Sequence, residues 1–214
     1  MLSPQEFIHS WKADDLISYD EAIVQTLAIP QASKLFLIEA GLPQQYFKVH
    51  AYYQAFPHLP AIGDTFSGDF SFSMEHAHYR VLSVVRSTLS IEYDEILAFF
   101  CLDEHSDGQI IEMFSTGTGL MNAGFRNSSI SQFAECLLLF NEYNRWVNDQ
   151  QWAREREGRP FTYDQWEVKS QEVHLKLHQV DPAAFDASNI PDGMRNTVWN
   201  GHLNGFDQHV DWSP

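Results

Sequence analysis

The chain reads as a single-domain α+β fold, a largely antiparallel mixed sheet flanked by helices, and three observations predict it. Helix signals crowd the first forty residues and return after residue 129, while a block of short β-prone runs broken by Pro and Gly fills the middle. Within that block, Ile96 to Leu102 and Gln109 to Phe114 are rich in β-branched and aromatic residues around the polar, turn-forming Asp103 to Gly108. That pattern is a β-hairpin, with Gly108 supplying a positive φ.

The elements follow in order. Ser3, Pro4 and Glu6 give an N-cap, a proline at the first helical position and an acid near the start, predicting a helix through Trp11. Ser18 and Glu21 repeat capping-box spacing ahead of a second short helix before Pro30. Pro30 opens a third, with Leu35, Ile38 and Leu42 at helical spacing, Phe36 beside them, and a stop at Gly41 and Pro43. From Lys48 to Phe72 the runs VHAYYQAF and TFSGDFSF read as strands, and Tyr79 to Val85 as another. Ser129 with Gln132 three residues on predicts a capping box, the hydroxyl accepting from a first-turn N–H and the amide reaching back. The helix it opens carries Phe133, Cys136, Leu137, Phe140, Tyr143 and Val147 at three- and four-residue steps, the strongest amphipathic pattern in the chain. The charged run Arg154 to Glu157 reads as a solvated helix end before the Gly158-Arg159-Pro160 break, and a further helix is predicted over Gln165 to His178. The organisation expected is a main domain over residues 1–158 and a helical and loop extension over 159–214 packed on it.

At 214 residues with 44% apolar and 14% aromatic side chains, the chain can bury a sizeable core. Its longest apolar stretch, around Cys136 to Phe140, falls far short of the roughly 20 residues a bilayer crossing requires, so no membrane role is expected. Cys101 and Cys136 sit inside apolar runs and read as buried free thiols of a reducing cytoplasm. With 29 acidic against 13 basic residues, the net charge is −16. So negative a surface repels nucleic-acid phosphates and anionic lipids and favours a basic partner; the plainer reading is solubility alone.

No catalytic signature survives inspection. His76 and His78, two apart, would share one face of a strand and with a carboxylate could serve a metal-dependent hydrolase. A third ligand would have to come from His50, His58, Glu92 or His105, and neither HExxH nor CxxC accompanies them. Asp103 to Gly108 lacks calcium-loop spacing, and Gly117 and Gly119 are not followed by the Lys-Ser/Thr of a phosphate loop. No metal site and no cofactor is expected. The six tryptophans read as packing residues, with one or two exposed near the C-terminus as anchors for a partner.

The order of LFLIEAGLP (35–43), LPAIG (59–63), YRVLS (79–83), the hairpin with its LDE turn, and F-x-N-S-S-x-x-x-F (125–133) into a helix resembles the SUKH superfamily. Within it the chain is most similar to the bacterial immunity subgroup, over residues 33 to 147 with a fainter echo at VDPAAF (180–185). The resemblance implies a non-catalytic cytoplasmic protein that binds and neutralises a cognate polymorphic-toxin domain, commonly a nuclease or deaminase. Regulatory scaffold proteins occur in the same superfamily and supply the alternative. Charge density points to an interface on the acids either side of one hairpin strand, Glu92, Asp94 and Glu95 before it and Asp103, Glu104 and Asp107 after it.

Overall fold

The computed structural model describes residues 2–11, 15–48, 51–62, 77–87, 96–115, 121–159, 161–186 and 188. Helix α1 (Pro4–Trp11) starts as its sequence predicts: the Ser3 N–H donates to Glu6 Oε2 at 2.9 Å while Ser3 Oγ accepts from the Glu6 N–H at 3.3 Å. It buries Phe7 and Trp11. Helix α2 (Glu21–Thr26) is capped by Asp20, which accepts from the Ala22 N–H at 2.8 Å, in place of the Ser18 cap expected. An Asp immediately before the helix reaches the open N–H groups that Ser18, two residues further out, does not. Helix α3 (Gln31–Glu39) buries Ser33, Phe36 and Leu37, with Ala40 next along the stripe, whereas Leu35 of the expected face is exposed. Four successive apolar residues, Leu35 to Ile38, offer two helical faces of similar hydrophobicity, and contact with Phe7 of α1 selects the one bearing Phe36.

Gly41 ends α3 at φ +68°, and a Cβ there would lie 1.9 Å from the Ile17 carbonyl oxygen. This close approach lets β1 (Leu16–Ile17) pair antiparallel with β2 (Leu42–Pro43). The main sheet then runs in strict chain order through β3 (Gln45–Lys48), β4 (Ala51–Ala55), β5 (Tyr79–Ser87), β6 (Ile96–Asp103), β7 (Gln109–Ser115) and β8 (Met121–Asn127). All pairings among the described strands are antiparallel. Strand β4 falls in the expected VHAYYQAF run, whereas β3 lies ahead of it and ends at Lys48, where the predicted β-prone block begins; the TFSGDFSF run lies outside the described residues. In β8 Gly124 stands opposite Glu112 of β7.

Alternation along the strands sorts their side chains. Leu82, Ala98, Phe100, Leu102 and Ile110 join the core shared with the helices, while Val81, Val84, Phe99, Cys101, Ile111 and Met113 form a second buried cluster with Ile62. A register shift between Val81 and Ser83 keeps Val81 and Val84 in the same cluster despite their odd spacing. The Leu82 carbonyl accepts from the Phe56 N–H and the buried Tyr19 hydroxyl. Cys101 and Cys136 are both free and buried, and they fall in different clusters. Burial pushes the Cys101 thiol up and the Cys136 thiol up to about 12.

Helix α4 (Ile130–Glu157) spans 28 residues, about 42 Å at 1.5 Å per residue, and ends at Gly158 in the left-handed conformation. Arg154 and Arg156 occupy its last turn, the solvated end read from the sequence, where cations favour the helix dipole. Its N-cap is Ser129 as expected, but Gln132 does not close the box in the expected way: its Oε1 accepts from Ser129 Oγ and its Nε2 donates to the Val180 carbonyl. A complete capping box, of the kind Ser3 and Glu6 form at α1, lies at Thr162 and Gln165 and starts α5 (Tyr163–Val180) two residues before the expected boundary. Helix α5 buries Trp166, Ser170, Val173 and Leu177 and packs along α4.

After α5, a 3-10 turn (Pro182–Phe185) follows Asp181, which is 1% exposed. The Asp181 carboxylate accepts from the Ser128 N–H at 2.6 Å, Ser128 Oγ at 2.9 Å and Asn127 Nδ2 at 3.0 Å. The Asn-Ser-Ser triplet thus caps α4 through Ser129 and holds the C-terminal helix through Asn127 and Ser128. A second buried polar group stands in the same core: Arg126 donates to Glu112 at 3.0 Å with its guanidinium 4.8 Å from the Phe100 ring centre.

Candidate partner-binding surfaces

The β6–β7 turn is built from the hairpin register, with Asp103 opposite Gln109. Asp107 and Gly108 both take positive φ, +53° and +75°. Gly108 also permits close packing, since a Cβ there would lie 3.3 Å from Ile29. Asp103 is buried: its Oδ1 accepts from the His105 N–H at 2.8 Å and lies 3.5 Å from His78 Nε2. Glu104 gives one carboxylate oxygen to Arg80 and the other to the Ala28 N–H. Asp107 is exposed. The structure therefore brings Asp103, Glu104 and Asp107 together on one turn, two of them bonded within the protein, while Glu92, Asp94 and Glu95 lie outside the described residues.

His78 stacks on His105 with ring centres 4.1 Å apart and planes 8° from parallel. Rings stacked in this way project their nitrogens side by side rather than toward a common point. Among the described residues no group of His, Cys, Asp or Glu is placed to hold a metal ion, and His76 is outside them.

A different surface emerges on the α4–α5 hairpin. Of the five large apolar side chains most exposed among the described residues, four lie here: Trp152 at 53%, Tyr163 at 43%, Val168 at 69% and Leu175 at 62%. Arg156 covers the Trp152 ring at 4.2 Å. Val168 and Leu175, seven residues apart, fall on one helical stripe. Beside Val168 a shallow groove of about 400 Å³ runs over Trp146, bordered by Asp164, Gln165, Lys169 and Glu172. Trp146 is fixed from beneath by Tyr143 and by an edge-on Phe161. Glu172 accepts from Lys176 at 2.6 Å and Lys169 at 2.9 Å, hydrogen bonds that hold its carboxyl down at about 2, Lys176 contributing most.

Sequence reasoning did not single out this face, although Val168 and Leu175 among polar neighbours were a signal for it. Of the six tryptophans, Trp11 and Trp166 are buried, Trp146 is partly covered, and Trp152 is the exposed one among those described. Trp199 and Trp212 lie outside the described residues.

Among the described residues, neither surface brings together a convergent acid, base and nucleophile. The family model of the SUKH-4 immunity protein matches residues 2–200. The chain belongs to this family. The match takes in the main sheet, the α4–α5 hairpin and the Asp181 clasp alike. No curated protein and no solved structure matches the chain. No described helix of this SUKH-4 member is long and apolar enough to cross a membrane.

Proposed function

We propose that this SUKH-4 member is a non-catalytic immunity protein that binds a cognate polymorphic-toxin domain in the cytoplasm and blocks it. The observation that carries the reading is the family match over residues 2–200, and the net charge of −16 gives it a physical mechanism. A nuclease or deaminase domain presents a basic groove to its nucleic-acid substrate, and a strongly acidic protein competes for that groove by charge complementarity. The same charge disfavours binding of nucleic acid by the immunity protein itself.

Within this reading the acids at Glu92, Asp94, Glu95, Asp103, Glu104 and Asp107 act mainly as a field that accelerates encounter. Asp107 is the exposed one among the described three and contributes most to that field. The C-terminal extension, clasped at Asp181, serves as part of the same binding unit.

The test is co-expression with the toxin domain encoded beside this gene. Cell survival with a co-purifying complex whose association slows steeply with added salt is the expected result. Unchanged toxicity, together with no complex at low salt, would overturn the reading.

A further inference from the structure

We infer that the outer face of the α4–α5 hairpin, centred on Val168 and the groove over Trp146, is the anchor that retains the basic toxin domain once bound. This rests on the immunity reading and assigns it a surface. Apolar side chains exposed to water are individually ordinary, but Val168, Leu175, Tyr163 and Trp152 gather on one helical hairpin, and among the described residues the other exposed large apolar side chain, Leu35, stands apart on α3. From Asp164 to Leu175 the face extends about 16 Å along α5, enough for the centre of an interface of roughly 800 Å² per partner.

Charge selects the occupant. A second copy of this chain would bring −16 against −16, which opposes self-association through this face. A basic domain is attracted instead. The groove suits a lysine or arginine side chain of such a domain, its aliphatic stem lying on Val168 and the Trp146 indole and its cationic head reaching the exposed Asp164 at the border. Glu172, shared between Lys169 and Lys176, contributes less to that attraction than Asp164 does.

The acid turn and this face then have separable roles. The turn lies at the Asn127 end of β8, and α4 rises about 25 Å from Ser129 to Trp146, placing the groove toward the opposite end of the hairpin. Long-range charge sets the association rate, whereas desolvated contact in a groove sets the dissociation rate.

The experiment measures association and dissociation of the full chain with an inactivated form of the neighbouring toxin domain. It uses wild type, Val168→Lys, Val168→Asp, Leu175→Ser and Asp107→Asn, each checked for an unchanged thermal midpoint. Val168→Lys is expected to raise the dissociation rate about 100-fold and Val168→Asp about 10-fold, with association within about threefold. Leu175→Ser, which adds no charge, should raise dissociation about 10-fold, and Asp107→Asn should alter association alone. Dissociation unchanged in Val168→Lys and Leu175→Ser, with wild type binding well, would overturn this surface while leaving the immunity reading intact. Absence of binding by wild type overturns both. A wild-type dimer dispersed by Val168→Lys would assign the face to a second copy and overturn the proposal.

Discussion

In the β6–β7 turn two of three acids, Asp103 and Glu104, are bonded within the fold, and on the outer face of the α4–α5 hairpin the apolar groups are turned outward. Asp103 is 5% exposed and bonded to its own turn, and Glu104 ties β5 to the loop before α3, so most of the turn's acidity holds the fold together. Val168 and Leu175 are more than half exposed, and the helix carrying them is fixed from its other side by Trp166, Val173 and Leu177. Charge density along a sequence therefore says little about charge available to a partner. Surface left over after the fold has satisfied itself is the better indicator.

The contrast can be sharpened by substitutions. The largest effect is expected at Asp181, whose replacement by Ala leaves the Ser128 N–H and Asn127 amide buried without their acceptor. Urea unfolding should show a loss of about 3 kcal/mol; a loss below about 1 kcal/mol would mean that the clasp does not couple the hairpin to the sheet. Next comes Glu104→Ala, which removes the Arg80 pair and the Ala28 bond and should cost about 1–2 kcal/mol in the same assay. If it proved neutral, Glu104 would be as available to a partner as its sequence suggested.

Asp107→Gly belongs to the same turn but should change stability by no more than about 0.5 kcal/mol. Relief of a left-handed backbone offsets the greater freedom of glycine in the unfolded chain. The thiols report whether both clusters of the sheet are sealed. Their acidities are lowered by burial, so neither Cys101 nor Cys136 should react with a disulfide reagent at pH 8 until guanidinium unfolds the chain. Fast labelling of one cysteine in the native protein would show that its cluster opens.

The smallest effect concerns Glu172, whose carboxyl is held at about 2 against an ordinary 4.5. A depressed acid contributes stability above its unfolded value, and that contribution fades as pH falls from about 4.5 toward 2. Because the group is exposed, salt should screen most of it. Acid titration of unfolding should show a slightly shallower decline in Glu172→Gln than in wild type at low salt, and no difference in 1 M salt.

Much of the architecture was legible because it rests on local signals. Ser3 and Glu6 mark the start of α1, Gly41 and Gly158 mark helix ends, Gly108 turns the hairpin, and Ser129 caps α4. Each depends on backbone chemistry within a few residues. The sequence also determined the net charge and the order of motifs that placed the chain near the SUKH superfamily, which the family match bears out. What only the tertiary structure decided is how groups distant in sequence consume one another. Asp181 meets Ser128 across 53 residues, Glu104 meets Ala28 across 76, and Phe36 rather than Leu35 faces the core because α1 lies on that side. The physical reason is that burial and hydrogen bonding are properties of pairs brought together by folding, so which acids are consumed and which apolar stripe stays in water are settled only when the elements pack.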